Sequence, residues 1–381
     1  MKLIGSLAEI LGGIQRVIFP YLEEEIGELT ETQKKLLTML EIIPIAKFVD
    51  RWHRIKGRPR RDREMIARAF VAKAVYNIPT TKHLVERING EKNLRIICGW
   101  ERKNEVPHES TFSRAFEEFA KSDLPGRIHE AMIKDNLGEE IILHISRDST
   151  SIEGREKPRK KDPEQKSEKM KRKKGRRKKG EEAAKKEPTR MERQLEMTRE
   201  DMIAELPGAC DVGTKKNSKG YKETWIGYKL HIDAADGQIP ISCILTSASV
   251  HDSQVAIPLA VTTEDRVTNL YDIMDSAYDC PAIRDHSSRM GHVPLIDVNT
   301  RRNVGLREEL NSEKERFRFC NFKTPEDVRY NNRTNVERVN SRMKDEFGGN
   351  TVRVRGNAKV FAHLMFGIIA LTADQFIRLI M

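Results

Sequence analysis

The spacing of hydrophobic positions changes near residue 140. Before that point it is helical. Between Arg61 and Tyr76, the residues Met65, Ile66, Ala69 and Phe70 share one face, and Ile78-Pro79 closes the segment. Thr80 or Thr81 is placed to cap a short helix carrying Leu84, Val85 and Ile88. From about Glu109 to Ala120, Phe112, Ala115, Phe116 and Phe119 stand at i, i+3, i+4 and i+7. Residues 1–135 are therefore expected to form a small all-helical domain. Short helices joined by tight turns suit a helix-turn-helix DNA reader, and they suit a plain bundle equally well.

Beyond residue 140 short apolar runs take over. Ile141, Ile142, Leu143 and Ile145 predict a strand that ends in Asp148. Trp225 to Asp233 and Ile239 to Thr246 predict a hairpin turning through Ala235-Asp236-Gly237. A helix over Asp252 to Val261 follows, then a strand over Leu270 to Met274 ending in Asp275, and a helix after Pro281. Val293 to Val298 predicts a last strand, and Tyr330 to Phe347 a long polar helix. Val360 to Met381 is apolar but holds His363, Asp374, Gln375 and Arg378, which fits an amphipathic helix closing a core and not a membrane span. Three antiparallel strands continued by two parallel ones describe a ribonuclease H-like α/β fold, a mixed sheet with flanking helices, over residues 140–381.

Composition sharpens this picture in one place. Charged residues make up 33% of the chain, against roughly 25% in an average domain. The formal net charge is +11, a balance that suits a polyanion. Residues 153–200 hold 20 Lys/Arg against 11 Asp/Glu, whereas the rest of the chain holds 49 against 47. This segment is expected to be a basic, disordered insertion. Lys171, Arg172, Lys173, Lys174, Arg176 and Arg177 at its centre offer an electrostatic grip on phosphates, with a merely solubilising loop as the plain alternative. Five cysteines without a C-x-x-C pair argue against a zinc module and against a disulfide framework. Glu9 interrupts the apolar start, and no small-residue cleavage site follows it. A soluble protein of the cytoplasm, associated with the nucleoid, is the expectation.

Two aspartates at the ends of neighbouring strands would present carboxylates at one sheet edge. Mg²⁺ or Mn²⁺ takes such hard oxygen donors, and two ions can serve the attacking and leaving oxygens of a phosphoryl transfer. From Tyr330 to Lys344 the chain reads Y-x2-R-x3-E-x6-K. On one ideal helix Tyr330, Arg333, Glu337 and Lys344 would fall within an arc of about 60°. A phenol, a guanidinium, a carboxylate and an ammonium would then share a face. Taken alone, Arg333 and Glu337 would be an ordinary i, i+4 ion pair. His231 and Asp233 share a strand face but lack a third zinc ligand. Asp252 reads as a helix N-cap, with His251 a lesser candidate for lining the site. Ser149 and Thr150 have no histidine placed as a base, and no phosphate-binding loop for ATP is evident.

The Y-x2-R-x3-E-x6-K run resembles the signature of DDE-type insertion-sequence transposases of the insertion-sequence-four group and its relatives. R-D-S-T at Arg147 to Thr150 is similar to their first aspartate motif, and M-D-S-A-Y-D at Met274 to Asp279 to their second. Gly227 to Pro240, Ser249 to Asp252 and Asp297 to Arg302 are similar to the connecting blocks, and Val106 to Arg114 resembles the N-terminal helical region. The resemblance implies metal-dependent cutting at inverted-repeat ends and joining of a 3′-hydroxyl to target DNA. It assigns Asp148, Asp275 and Glu337 to catalysis and metal binding. Tyr330, Arg333 and Lys344 would contact DNA, joined by Arg301 and Arg302. A homodimer on DNA is implied, and the helical domain would bind transposon ends. The interval between Asp275 and Glu337 shows no clear sheet of the kind the family often inserts there. A non-catalytic DNA-binding descendant and a ribonuclease H-like nuclease are the alternatives.

Overall fold

The computed structural model describes residues 2–49, 62–159, 188–216, 220–301 and 303–380. The described part of the first 137 residues is helical. Its packing centres on α1 (Arg63–Val75), α2 (Glu109–Lys121) and α3 (Leu124–Leu137). Asp62 caps α1 by accepting from the backbone N–H groups of Glu64 and Met65, and Thr80 caps the Thr81–Gly90 helix through the N–H of His83. The phenylalanines spaced along α2 meet Phe70 of α1, with ring centroids 4.9 Å apart for Phe70–Phe116 and 6.1 Å for Phe70–Phe112.

Six strands then form one mixed sheet: β1 (Ile141–Glu153), β2 (Asp211–Lys216), β3 (Lys222–Ala235), β4 (Ile239–Ser247), β5 (Thr268–Met274) and β6 (Val293–Ile296). β3 lies between β1 and β4, antiparallel to both, and also pairs with β2. On its other side β1 pairs parallel with β5, and β5 pairs parallel with β6. The three-antiparallel, two-parallel arrangement read from the strand pattern is thus present, extended by β2. The β3–β4 turn passes through Gly237 at φ +74°, in the left-handed region that glycine enters without steric cost.

The helices of the sheet region include α4 (Ala256–Glu264), α5 (Val304–Phe319), α6 (Thr334–Asp345) and α7 (Asn357–Ile380), with Pro281–Arg289 between β5 and β6 as the sequence predicts. α7 is the described helix long and apolar enough to cross a membrane, and 94% of its most apolar window is buried inside the protein. It touches α1, α2, α3, α6 and β4, and its Phe366 joins the aromatic cluster 5.5 Å from Phe70. A helix apolar on nearly all sides is a core element, so α7 is less amphipathic than its scattered polar residues suggest. One hydrophobic cluster runs from Leu36 and Phe70 through Phe366 to Ile145 and Ile232. The helical region and the sheet therefore share a core.

Several expectations need correcting. β1 does not end at Asp148 but runs five residues further, because its pairing with β3 continues to Glu153 after its pairing with β5 has stopped. The helix expected over Tyr330 to Phe347 is broken. Pro325–Tyr330 is one short helix, Asn331–Arg333 form a 3-10 turn, and α6 starts at Thr334. The tighter turn advances each residue by about 120°, so the single-face register from Tyr330 to Lys344 does not hold. The helix expected from Asp252 begins as a 3-10 turn over Asp252–Gln254. At the end of the basic segment, Arg190–Gln194 and Arg199–Glu205 are helical and pack near α4, with Gln194 fully buried. That part of 153–200 is folded, not disordered. The interval between Asp275 and Glu337 holds α5, a sixteen-residue helix with no buried residue.

Candidate active site

The parallel ladder between β1 and β5 ends at the pair Arg147–Met274. The next residue on each strand is an aspartate, so Asp148 and Asp275 come to lie beside one another where the two strands part. Asp275 caps the 3-10 turn Ser276–Tyr278 through the N–H of Ala277, at 2.9 Å, which fixes its carboxylate. Asp148 accepts from Asn340 Nδ2 of α6 at 3.4 Å. Burial pushes the Asp148 carboxyl up to about 7, and the charges of Asp275 and Asp252 add to this. The Arg333 guanidinium and the N–H of Ser149 oppose the shift without cancelling it. Asp275 is raised in the same direction, again by burial first and then by the Asp252 charge. Two carboxylates that resist ionising together form a site short of positive charge.

Arg147 shows how the strand holds this position. Neighbouring residues on a strand point to opposite faces, so Arg147 turns away from the carboxylate of Asp148. It makes a two-pronged ion pair with Asp233, its register partner on β3, at 2.8 and 2.6 Å. Both side chains are buried, and Thr263 of α4 donates to the same carboxylate at 2.7 Å. Asp233 is thus the buried ion-pair partner of Arg147.

Asp252 is where sequence reading fell short. His251, not Asp252, is the cap residue of the following turn, its Nδ1 accepting from the N–H of Ser253. The Asp252 carboxylate accepts from Ser149 Oγ at 2.8 Å and from Lys229 Nζ at 2.9 Å. It therefore ties β1 to β3 one residue past Asp148. The S-V-H-D run was the available signal. Nothing in it showed that Lys229 and Ser149 would meet there, since this depends on strand pairing. Asn340 was missed because its meeting with Asp148 depends on how α6 packs on β1.

The remaining candidates are spread around this centre. Arg333 pairs with Glu337 at 2.5 Å, and its charge also acts on Asp148 and Asp275. Glu337 is held on this arginine and is partly open to solvent. Among the described residues no group of three or more His, Cys, Asp or Glu side chains is gathered closely enough to hold a metal ion. Tyr330 donates to Asp297 at 2.9 Å, and burial followed by that hydrogen bond raises its pKa. Lys344 reaches Ser151 Oγ at 3.4 Å. Arg301 sits at φ +45° in the turn after β6, its N–H bound to Asn299 Oδ1. Arg302, Lys171, Arg172, Lys173, Lys174, Arg176 and Arg177 lie outside the described residues.

The two aspartates fit a divalent ion of the Mg²⁺ type. Such an ion takes one or two carboxylates and fills its shell with water and phosphate oxygens, and its charge would offset the burial that, with the charges of Asp275 and Asp252, holds Asp148 near 7.

No curated protein and no solved structure matches the chain significantly. Two family models do match it. Residues 195–373, which include Asp275, Arg333, Glu337 and Lys344, match the transposase DDE domain. Residues 24–118, in the helical region, match a second transposase domain. The chain is thus similar to transposase domains over two separate stretches, and Asp148 lies between them, outside both matches.

Proposed function

We propose that the protein is a transposase of the insertion-sequence-four type, with a ribonuclease H-like catalytic region, that cuts inverted-repeat ends and joins the freed 3′-hydroxyl to target DNA. The observation that carries this reading is the placement of Asp148 and Asp275 side by side at the open end of the β1–β5 ladder. Divalent ions bound there, two in number, would polarise the phosphate and activate the attacking oxygen. Asp148 and Asp275 supply fixed carboxylates. The Arg147–Asp233 pair holds the register of β1, and Asp252 holds Ser149 and Lys229 beside it. Arg333 balances these carboxylates and Glu337 in the absence of DNA. An incoming phosphate offers the guanidinium a bidentate partner, and Arg333 exchanging Glu337 for it frees Glu337 to turn toward the aspartates. Tyr330 and Lys344 flank the same edge and contact the strand being cut. The helical region binds the transposon end, and two copies act together on DNA.

The test is a cleavage and joining assay on the DNA flanking the reading frame, with and without Mg²⁺ or Mn²⁺. Asp148→Asn, Asp275→Asn and Glu337→Gln should each lower cleavage by at least about a thousandfold, the scale of losing several kcal/mol of charge stabilisation. DNA binding should persist in all three. Undiminished cutting by any one of them would remove that residue from the metal site.

A further inference from the structure

Basic side chains lie beside the outer part of β1, with the carboxylates of Glu153 and Asp345 near the first of them, Lys344. Three residues beyond Asp148, or about 10 Å at strand rise, Ser151 receives Lys344 Nζ at 3.4 Å. Lys344 has no ion pair among the described residues. Burial depresses its pKa, and the nearby charge of Lys215 adds to the effect. After α6 the chain passes through Thr351-Val352-Arg353-Val354-Arg355, with alternating burial. Val352 and Val354 pack against the core, while Arg353 and Arg355 stand exposed. Neither arginine makes a hydrogen bond or an ion pair among the described residues. The segment is anchored where β1 leaves the sheet, since the N–H of Gly356 donates to Glu156 Oε1 at 2.8 Å. That carboxylate also accepts from Tyr228 at 2.7 Å, so it is engaged by its own neighbours.

Two guanidinium groups without partners among the described residues, held on one side of an anchored segment, are free to meet phosphate oxygens, which their planar fork suits. In an extended segment, residues two apart lie about 6.6 Å from each other. We propose that Lys344, Arg353 and Arg355 form a phosphate track that holds duplex DNA as it leaves the active site, Arg353 and Arg355 being its distal part. This rests on the reading of the protein as a DNA-cutting enzyme. Backbone contacts of this kind position a duplex without reading its sequence.

The experiment measures binding of the full-length protein, without metal, to two duplexes across a salt series. One duplex carries the DNA flanking the reading frame, and the other is a scramble of it. Arg353→Gln/Arg355→Gln should weaken both duplexes alike and make the slope of log K against log salt shallower by about 1.8, two contacts at about 0.9 each. A control pair, Arg199→Gln/Arg378→Gln, removes the same charge from arginines already held by Asp265 and Asp374 and should leave the slope unchanged. An unchanged slope in the first pair, an equal shift in the control, or no salt-dependent binding by the wild-type protein would each overturn the track. Glu337→Gln, assayed for cutting with Mg²⁺, separates the two readings. If it is inactive while the Arg353/Arg355 slope is unchanged, only the track fails. If it remains fully active, the assignment of Glu337 fails instead.

Discussion

His129 is fully buried between α3 and β4 and serves as donor and acceptor at once. Its Nε2 donates to the carbonyl of Pro240 at 3.1 Å, and Nδ1 faces Arg266 Nη1 at 3.3 Å. A second proton on the ring would set two cations together without water, and burial followed by Arg266 depresses its pKa to about 3. His363 is depressed to about 3 and His231 to about 4, in both cases chiefly by burial. An unfolded chain takes up these protons near pH 6.5, whereas the folded chain refuses them until far lower pH. The stabilisation is complete above about pH 6.5 and is lost as pH falls from there toward 4. Urea unfolding at pH 7.5, 6 and 5 should show stability falling with acidity, by up to about 1.4 kcal/mol per pH unit for each such histidine. His129→Gln, which keeps a donor and an acceptor without titrating, should flatten that slope.

At the scale of elements, the packing of α7 sets a tolerance that α5 does not share. Gly367 lies where α7 meets the chain after α6, and a Cβ built there would stand 2.5 Å from the carbonyl oxygen of Phe347. Gly367→Ala should destabilise the protein by about 1–3 kcal/mol in urea unfolding, because backbone cannot yield as a side-chain tip does. Gly305, in the first turn of exposed α5, meets nothing closer than 3.7 Å. Gly305→Ala should be neutral or stabilise by up to about 1 kcal/mol. Opposite signs for the same substitution would show that α7 is confined and α5 is not.

The elements also show which parts of the molecule could be read in advance. Period-2 and period-3.6 patterns gave the strand order and the α1 and α2 faces, because those patterns are set by burial on one side. The hairpin turn was legible in Asp236-Gly237 because left-handed backbone leaves a residue signature. Three features were not legible. The continuation of β1 past Asp148 depends on a partner 80 residues away. The break at Asn331–Arg333 leaves the backbone in the right-handed helical region and alters only its pitch. The role of Asp252 arises from Lys229 and Ser149, on two other strands. Local chemistry marked the aspartates, and tertiary pairing decided what surrounds them.

At the scale of the whole molecule, the shared core makes a thermodynamic statement. α7 packs on α1, α2 and α3 on the helical side and on β4 and α6 on the other, and one hydrophobic cluster runs through both regions. Unfolding followed by tryptophan fluorescence in a Trp52→Phe background, in which Trp100 reports the helices and Trp225 the sheet, should give coincident midpoints for the further Trp100→Phe and Trp225→Phe variants, each measured against its own circular dichroism. Separate transitions, one early and one late, would mean that the regions are only loosely joined.

A continuous core also sets a length. If the helices grip the end of an element, as proposed, the distance from that grip to Asp148 and Asp275 is not free to vary with a linker. It is built into α7 and its neighbours, as the gap between the jaw and the blade is built into a cutting tool. The number of base pairs between the bound sequence and the cut then becomes a fixed property of the folded chain, measured by the protein and not by the DNA.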